Sequence, residues 1–159
     1  MARETGAPKI SAGVLAWRRG LAGPQFLLVH PGGPYWAGKD AAAWSIPKGL
    51  VEEDEDGWAA ARREFAEELG QPIGGEGQPL SPCRTSGGKL VLAWLVETDL
   101  DVSVVRSNRF EMEWPPRSGR MASFPEVDKA SWFDAETALE KVHKGQRPIL
   151  SEAISQLKA

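Results

Sequence analysis

The sequence predicts a mixed α/β fold, a sheet with helices on its faces, and three observations carry that expectation. Short apolar runs at residues 10–17, 26–30, 44–46, 80–85, 89–97 and 131–133 read as strands. Three helical patterns, opening at Gly57, Asp134 and Pro148, interrupt them. No repeat, linker or low-complexity tract divides the 159 residues, so one domain over 1–159 is expected.

The first two strands face each other across Gly20 to Pro24, which has hairpin-turn chemistry. A Gly- and Pro-rich loop from Pro31 to about Ala43 leads to Trp44-Ser45-Ile46 and then Pro47-Lys48-Gly49. The clearest helix spans Gly57 to Leu69: Asp56 is an N-cap, Gly70 suits the position after the last turn, and Pro72 blocks continuation. Leu80 to Thr85 and Lys89 to Glu97 read as strands paired around Gly87-Gly88. Ser107 to Val127 is irregular and long enough to be a working loop. A strand ends at Trp132-Phe133, Asp134 caps a helix reaching about His143, and Pro148 opens the last helix toward Lys158.

Composition excludes several classes. A net charge of -3 leaves no basic excess for bulk nucleic-acid binding. Cys83 is the lone cysteine, so no internal disulfide forms, which fits a reducing cytosol; a small apolar side chain is its simplest role. Met1 to Ile10 lacks the apolar run of a signal peptide, and the longest apolar stretch, Leu90 to Val96, is too short to span a bilayer. A cytoplasmic protein without a membrane partner is expected; no stripe reveals an oligomeric state. Gly33 to Lys39 fits G-x-x-x-x-G-K, but Asp40 stands where Ser or Thr is needed and Pro47 precludes the required helix. His30 and His143 lack partners at zinc-binding spacing.

Chemistry concentrates on the helix after Asp56. Trp58, Ala61, Phe65 and Leu69 form a narrow apolar stripe, while Glu64, Glu67 and Glu68, at i, i+3 and i+4, converge on another face. Gly57 and Ala60, one turn upstream, leave space beside them. Three glutamates alone read more readily as a solvated acidic face, since surface helices favour Glu. Held close together they repel, unless a hard cation such as Mg²⁺ takes their oxygens.

Their surroundings decide. Gly49, five residues, Glu55, seven residues, then Arg63-Glu64-Phe65-Ala66-Glu67-Glu68-Leu69-Gly70 resembles the box that defines the Nudix hydrolase family. At ordinary residue frequencies the eight matched positions arise by chance about once in 10⁷ chains of this size. Gln71 departs from the pattern, filling a slot that usually holds an aliphatic residue. The resemblance implies an α/β/α sandwich with a mixed central sheet, and Mg²⁺-dependent cleavage (Mn²⁺ substituting) of a phosphoanhydride bond in a nucleoside-diphosphate-type substrate. By position it implies metal ligation by Glu64, Glu67 and Glu68, with the Gly49 carbonyl contributing, and orienting roles for Arg63 and Glu55. The base or a further ligand would come from the box or from Glu111, Glu113 or Glu126; of these, Glu126 stands just before a strand, where related enzymes carry an extra acidic ligand.

Substrate signals are weaker. Trp44-Ser-Ile-Pro-Lys-Gly49 resembles the approach to the box in Nudix enzymes acting on dinucleoside polyphosphates, diphosphoinositol polyphosphates, capped RNA and oxidised nucleotides. Phe110 to Arg120 resembles a bacterial subgroup expected to hydrolyse nucleoside triphosphates. Lys48 can meet a phosphate chain, Arg117 and Arg120 can hook an anion, and Tyr35, Trp36 and Trp114 can stack on a base. A surface lysine, a rigid turn and core-edge aromatics are the plain alternatives. The expected substrate is a nucleoside triphosphate or dinucleoside polyphosphate; ADP-ribose or another nucleotide sugar, or a silent nucleotide- or RNA-binding module, are the alternatives.

Overall fold

The computed structural model describes residues 9–158. The segment read above for a signal peptide lies, up to residue 8, outside the described residues. Among them no helix is long and apolar enough to cross a membrane.

The sheet is mixed. Strands β1 (Ile10–Gly20) and β2 (Gly23–Pro31) form a hairpin whose register closes at Gly20 opposite Gly23. The short β3 (Lys48–Leu50) pairs antiparallel with the start of β1, on the same edge as β2 and opposite the one β6 takes. Helix α1 (Gly57–Leu69) follows, then the two-residue strands β4 (Gln78–Pro79) and β5 (Cys83–Arg84), both on β6 (Leu90–Glu97). β6 runs parallel to β1 from Ile10 opposite Leu90 to Trp17 opposite Glu97. β7 (Arg109–Glu113) and β8 (Met121–Pro125) form a separate hairpin; β9 (Val127–Asp134) returns to pair with β2. α2 (Ala135–Lys141) and α3 (Arg147–Lys158) complete the chain.

Helices cover both faces, which is why residues 11–17 of β1 are all buried instead of alternating with polar ones. Leu15 and Trp17 with Phe26 and Leu28 pack toward Ala138, Ile149 and Leu150 of α2 and α3. Val14, Ala16, Leu27 and Val29 pack toward Ala61, Phe65 and Leu69 of α1. Period-two side-chain alternation thus feeds two cores and makes the expected α/β/α sandwich.

Several local expectations are corrected. Residues 44–46 form no strand; Ser45 makes an isolated bridge with Val29, and pairing to β1 begins only after Pro47. There Val14 N–H donates to the Pro47 carbonyl at 3.1 Å, and a Cβ on Gly13 would stand 2.6 Å from that oxygen. Residues 80–85 form a strand only at Cys83 and Arg84; Leu80 N–H also donates to the Ala93 carbonyl at 2.9 Å, and Pro82 between them cannot supply a ladder donor. Residues 107–127 are largely a hairpin: Phe110 and Met112 are half-buried while Glu111 and Glu113 are exposed, the alternation of a strand with one covered face. The space expected beside Gly57 and Ala60 is filled; Ala60 is wholly buried, and a Cβ on Gly57 would lie 3.0 Å from the Trp94 ring. Of the strand and helix tryptophans, Trp17 is buried, whereas Trp58, Trp94 and Trp132 lie half-buried at the margin of the second core. The second helix ends at Lys141, two residues short of His143.

Candidate active site

β3, the loop at residues 51–56 and α1 form one strand–loop–helix unit. Asp56 accepts from Ala59 N–H at 3.1 Å, and Gly70, at φ 71°, donates to the Ala66 carbonyl, so both helix ends are satisfied. Gln71 donates to the Asp101 carbonyl at 3.2 Å, and Ile73, two residues on, supplies the buried apolar contact under the helix.

Arg63 is the hub. Its Nε and Nη2 grip the two Glu55 oxygens at 2.8 and 2.9 Å, a bidentate pair that fixes the loop to the helix. Nη1 donates to Glu64 at 2.9 Å and Glu67 at 3.2 Å, and Nη2 reaches the Leu50 carbonyl at 3.1 Å. Those bonds hold the Glu55 carboxyl down at about 2, Arg63 contributing most and the Glu52 N–H next. The Arg63 pKa is raised above its ordinary value, first by Glu55.

The other acids behave oppositely. Burial raises the Glu64 carboxyl despite its bond to Arg63. Glu64 presses on Gly49, where a Cβ would come within 2.0 Å of its carboxyl carbon, so only glycine leaves it room. Glu68 is pushed up to about 8, foremost by burial and then by Glu64 and Glu126, against the pull of Lys48. Burial lowers the Lys48 pKa, and nearby Lys89 adds to that. Carboxylates held so close with raised pKa values, in an oxygen-only donor set, suit a hard divalent cation. Among the described residues no three of them stand in a closed ligand arrangement, as Arg63 draws Glu64 and Glu67 to itself.

A cavity of about 470 Å³ opens beside this wall, with Glu68 and Glu126 facing it alongside Lys48, Lys89, Trp36 and Trp44. Glu64 and Glu67 are not among its lining residues. Neither are Glu111 and Glu113; Glu113 instead accepts from Gly119 N–H at 2.6 Å and braces the hairpin turn. Arg117 and Arg120 stand exposed at that turn and line no part of the cavity, so the expected hook over the box is not formed. Tyr35 and Trp114 meet edge to face at 5.4 Å, outside it.

Sequence reasoning missed Lys89 and Gln146. Lys89 carried no signal beyond following Gly87-Gly88. Gln146 is buried; it accepts from Ile46 N–H at 3.0 Å and donates to Ser45 Oγ at 3.0 Å, fixing the segment ahead of Lys48.

The fold has many solved counterparts. The Ap4A hydrolase of Caenorhabditis elegans, in a binary complex, is 22% identical with TM-score 0.64, covering 94% of this chain and 98% of that one. The NUDIX domain of Shewanella oneidensis NrtR complexed with ADP ribose is 14% identical with TM-score 0.66, covering 96% and 90%. A Nudix hydrolase of Listeria monocytogenes is 17% identical with TM-score 0.63, covering 94% of each chain. At such identities they establish the fold. No curated protein sequence matches the chain. The NUDIX domain family model matches residues 7–153, almost the whole chain and all of the unit organised by Arg63. The chain therefore belongs to the Nudix family and is a Nudix hydrolase.

Proposed function

We propose that the chain, acting as one domain over residues 1–159, hydrolyses a phosphoanhydride bond in a nucleoside triphosphate or dinucleoside polyphosphate with Mg²⁺. The observation that carries this reading is the pairing of charges in one cavity, Glu68 and Glu126 with Lys48 and Lys89. Carboxylates suit the ion, and the two ammonium groups suit successive phosphates of a chain longer than a single diphosphate.

Glu64, Glu67 and Glu68 would hold the metal with Glu126, the one acid outside the box among the described residues that reaches the cavity, and the Gly49 carbonyl would assist. A divalent ion held there would supply charge neutralisation at the diphosphate and a more acidic water. Water oxygen bonds to phosphorus, the bridging P–O bond breaks, and the water proton leaves to the carboxylate wall. Arg63 and Glu55 keep that wall in register throughout. Burial holds the Glu68 carboxyl up at about 8, so a cation bound there would favour its ionised form. The cysteine, buried and unpaired, suits a reducing cytosol.

The test is a panel of ATP, GTP, diadenosine tetraphosphate and ADP-ribose with Mg²⁺, products separated by anion exchange. The polyphosphates should exceed ADP-ribose in kcat/KM; superior cleavage of ADP-ribose overturns the substrate reading. The Caenorhabditis fold relative, an Ap4A hydrolase, supports the first outcome, and the ADP-ribose-bound Shewanella domain makes the second a necessary comparison.

A further inference from the structure

A second cavity, of about 440 Å³, adjoins the first and shares Pro31, Trp36 and Glu126 with it. It lies between the loop at residues 31–36 and the β7–β8 hairpin. Tyr35, Trp36, Phe110 and Met112 wall it, and among the described residues Glu126 is its one charged lining residue.

The sequence builds this cavity. Gly32 and Gly33 let the hairpin dock: a Cβ on Gly32 would fall 2.0 Å from the Pro125 carbonyl oxygen, and one on Gly33, at φ 97°, would fall 3.0 Å from the Phe110 ring. Gly32 N–H donates to the Glu126 carbonyl at 3.0 Å, tying loop to hairpin. Phe110 packs on Phe124 across the hairpin with ring centroids 5.9 Å apart, and Tyr35 meets Trp114 at 5.4 Å. The far end of the loop is pinned as well. Buried His30 bonds the Lys39 carbonyl at 2.7 Å through Nε2, and Asp40 takes Trp44 Nε1–H at 2.9 Å. The walls are thus held in place before any ligand arrives.

We infer that this cavity is a subsite for an uncharged aromatic ring, the nucleobase end of the substrate. A phosphate finds no cation among the described residues that line it. A flat ring finds four apolar or aromatic walls and polar edges at Glu126 and the loop backbone. The shared rim at Trp36 and Glu126 lets one molecule place its ring here and its phosphates beside Lys48 and Lys89. Phe110 and Met112 are then specificity residues, which gives the hairpin a role in binding rather than in the chemical step.

This inference rests on the polyphosphate reading, and the experiment separates the two. Hydrolysis of ATP and of inorganic tripolyphosphate is compared for wild type and Met112→Ala. The ratio of their kcat/KM values should fall about tenfold in the variant, through KM for ATP, as loss of a stacking wall entails. An unchanged ratio overturns the subsite. Binding of adenosine, which carries no phosphate, is measured in parallel by saturation-transfer NMR in wild type, Met112→Ala and Tyr35→Ala. It should be present in wild type and weakened at least severalfold in both variants, whether or not ATP is a substrate. Absence of adenosine and guanosine binding to wild type overturns the subsite even if polyphosphates are cleaved.

Discussion

At the level of single residues, Gly49 and Glu68 govern the acidic wall in different ways. The atoms that a Cβ on Gly49 would strike are the end of the flexible Glu64 side chain, so Gly49→Ala should fold while displacing that carboxylate. Turnover should drop on the order of 10²-fold with little change in melting temperature, as expected when a metal ligand is lost and packing is kept. Steady-state kinetics beside thermal denaturation checks it; wild-type turnover contradicts the placement of Glu64. Glu68 makes a pH prediction. Its carboxyl rises from 4.5 unfolded to about 8 folded, so between those values the native state holds a proton that the unfolded chain lacks. With a chelator present, stability should fall as pH climbs through that window, and Glu68→Gln should flatten the decline. Identical melting profiles for wild type and Glu68→Gln from pH 5 to 8 would show that Glu68 is not a buried, proton-binding acid. Both residues were legible by spacing, because the box is a local pattern. Glu55, Arg63, Glu64 and Glu67 were legible for the same reason, since loop and helix neighbours meet whatever the rest of the chain does. Lys89 was not, because only the parallel alignment of β6 with β1 carries it to Lys48.

At the level of elements, α1 depends on its caps more than on intrinsic preference. Its first turn contains Gly57 and no acidic residue, so the Asp56 side chain satisfies an amide that otherwise lacks a partner. Asp56→Ala should cost about 1 kcal/mol. For a chain of this size that is a loss of about 2–4 °C in melting temperature. Chemical denaturation checks the first figure, and a midpoint equal to wild type rejects the cap. Cap, apolar stripe and terminal glycine are written in adjacent residues, so this helix was readable to its ends. The β7–β8 hairpin was less so. Phe110 and Met112 alternate with Glu111 and Glu113 in the sequence, but the long turn from Pro115 to Arg120 lacks a two-residue hairpin signature. Arg117 and Arg120 were misplaced in consequence: antiparallel pairing sends the turn outward, while the base of the hairpin, at Phe110 and Met112, faces the loop.

At the level of the whole molecule, the sandwich was legible because helix periodicity and strand runs alternate along the chain. The site was only half legible because it is assembled from both ends of that chain. The pairing of β9 with β2 and the docking of the hairpin on Gly32 and Gly33 bring Glu126 to the cavity that Glu68 faces, across more than fifty residues of sequence. No local pattern encodes that meeting; the position of Glu126 just before a strand was its only trace. The central claim is that these distant acids act together on a cation. It is tested most directly by titrating Mg²⁺ into wild type, Glu68→Gln, Glu126→Gln and Glu111→Gln while following polyphosphate hydrolysis. The account predicts activity that vanishes in excess chelator and turnover lowered on the order of 10²-fold in Glu68→Gln. It also predicts a half-activating Mg²⁺ concentration raised about tenfold or more in Glu126→Gln, with Glu111→Gln close to wild type. Full activity in chelator, or a Glu126→Gln titration superimposable on wild type, would contradict it.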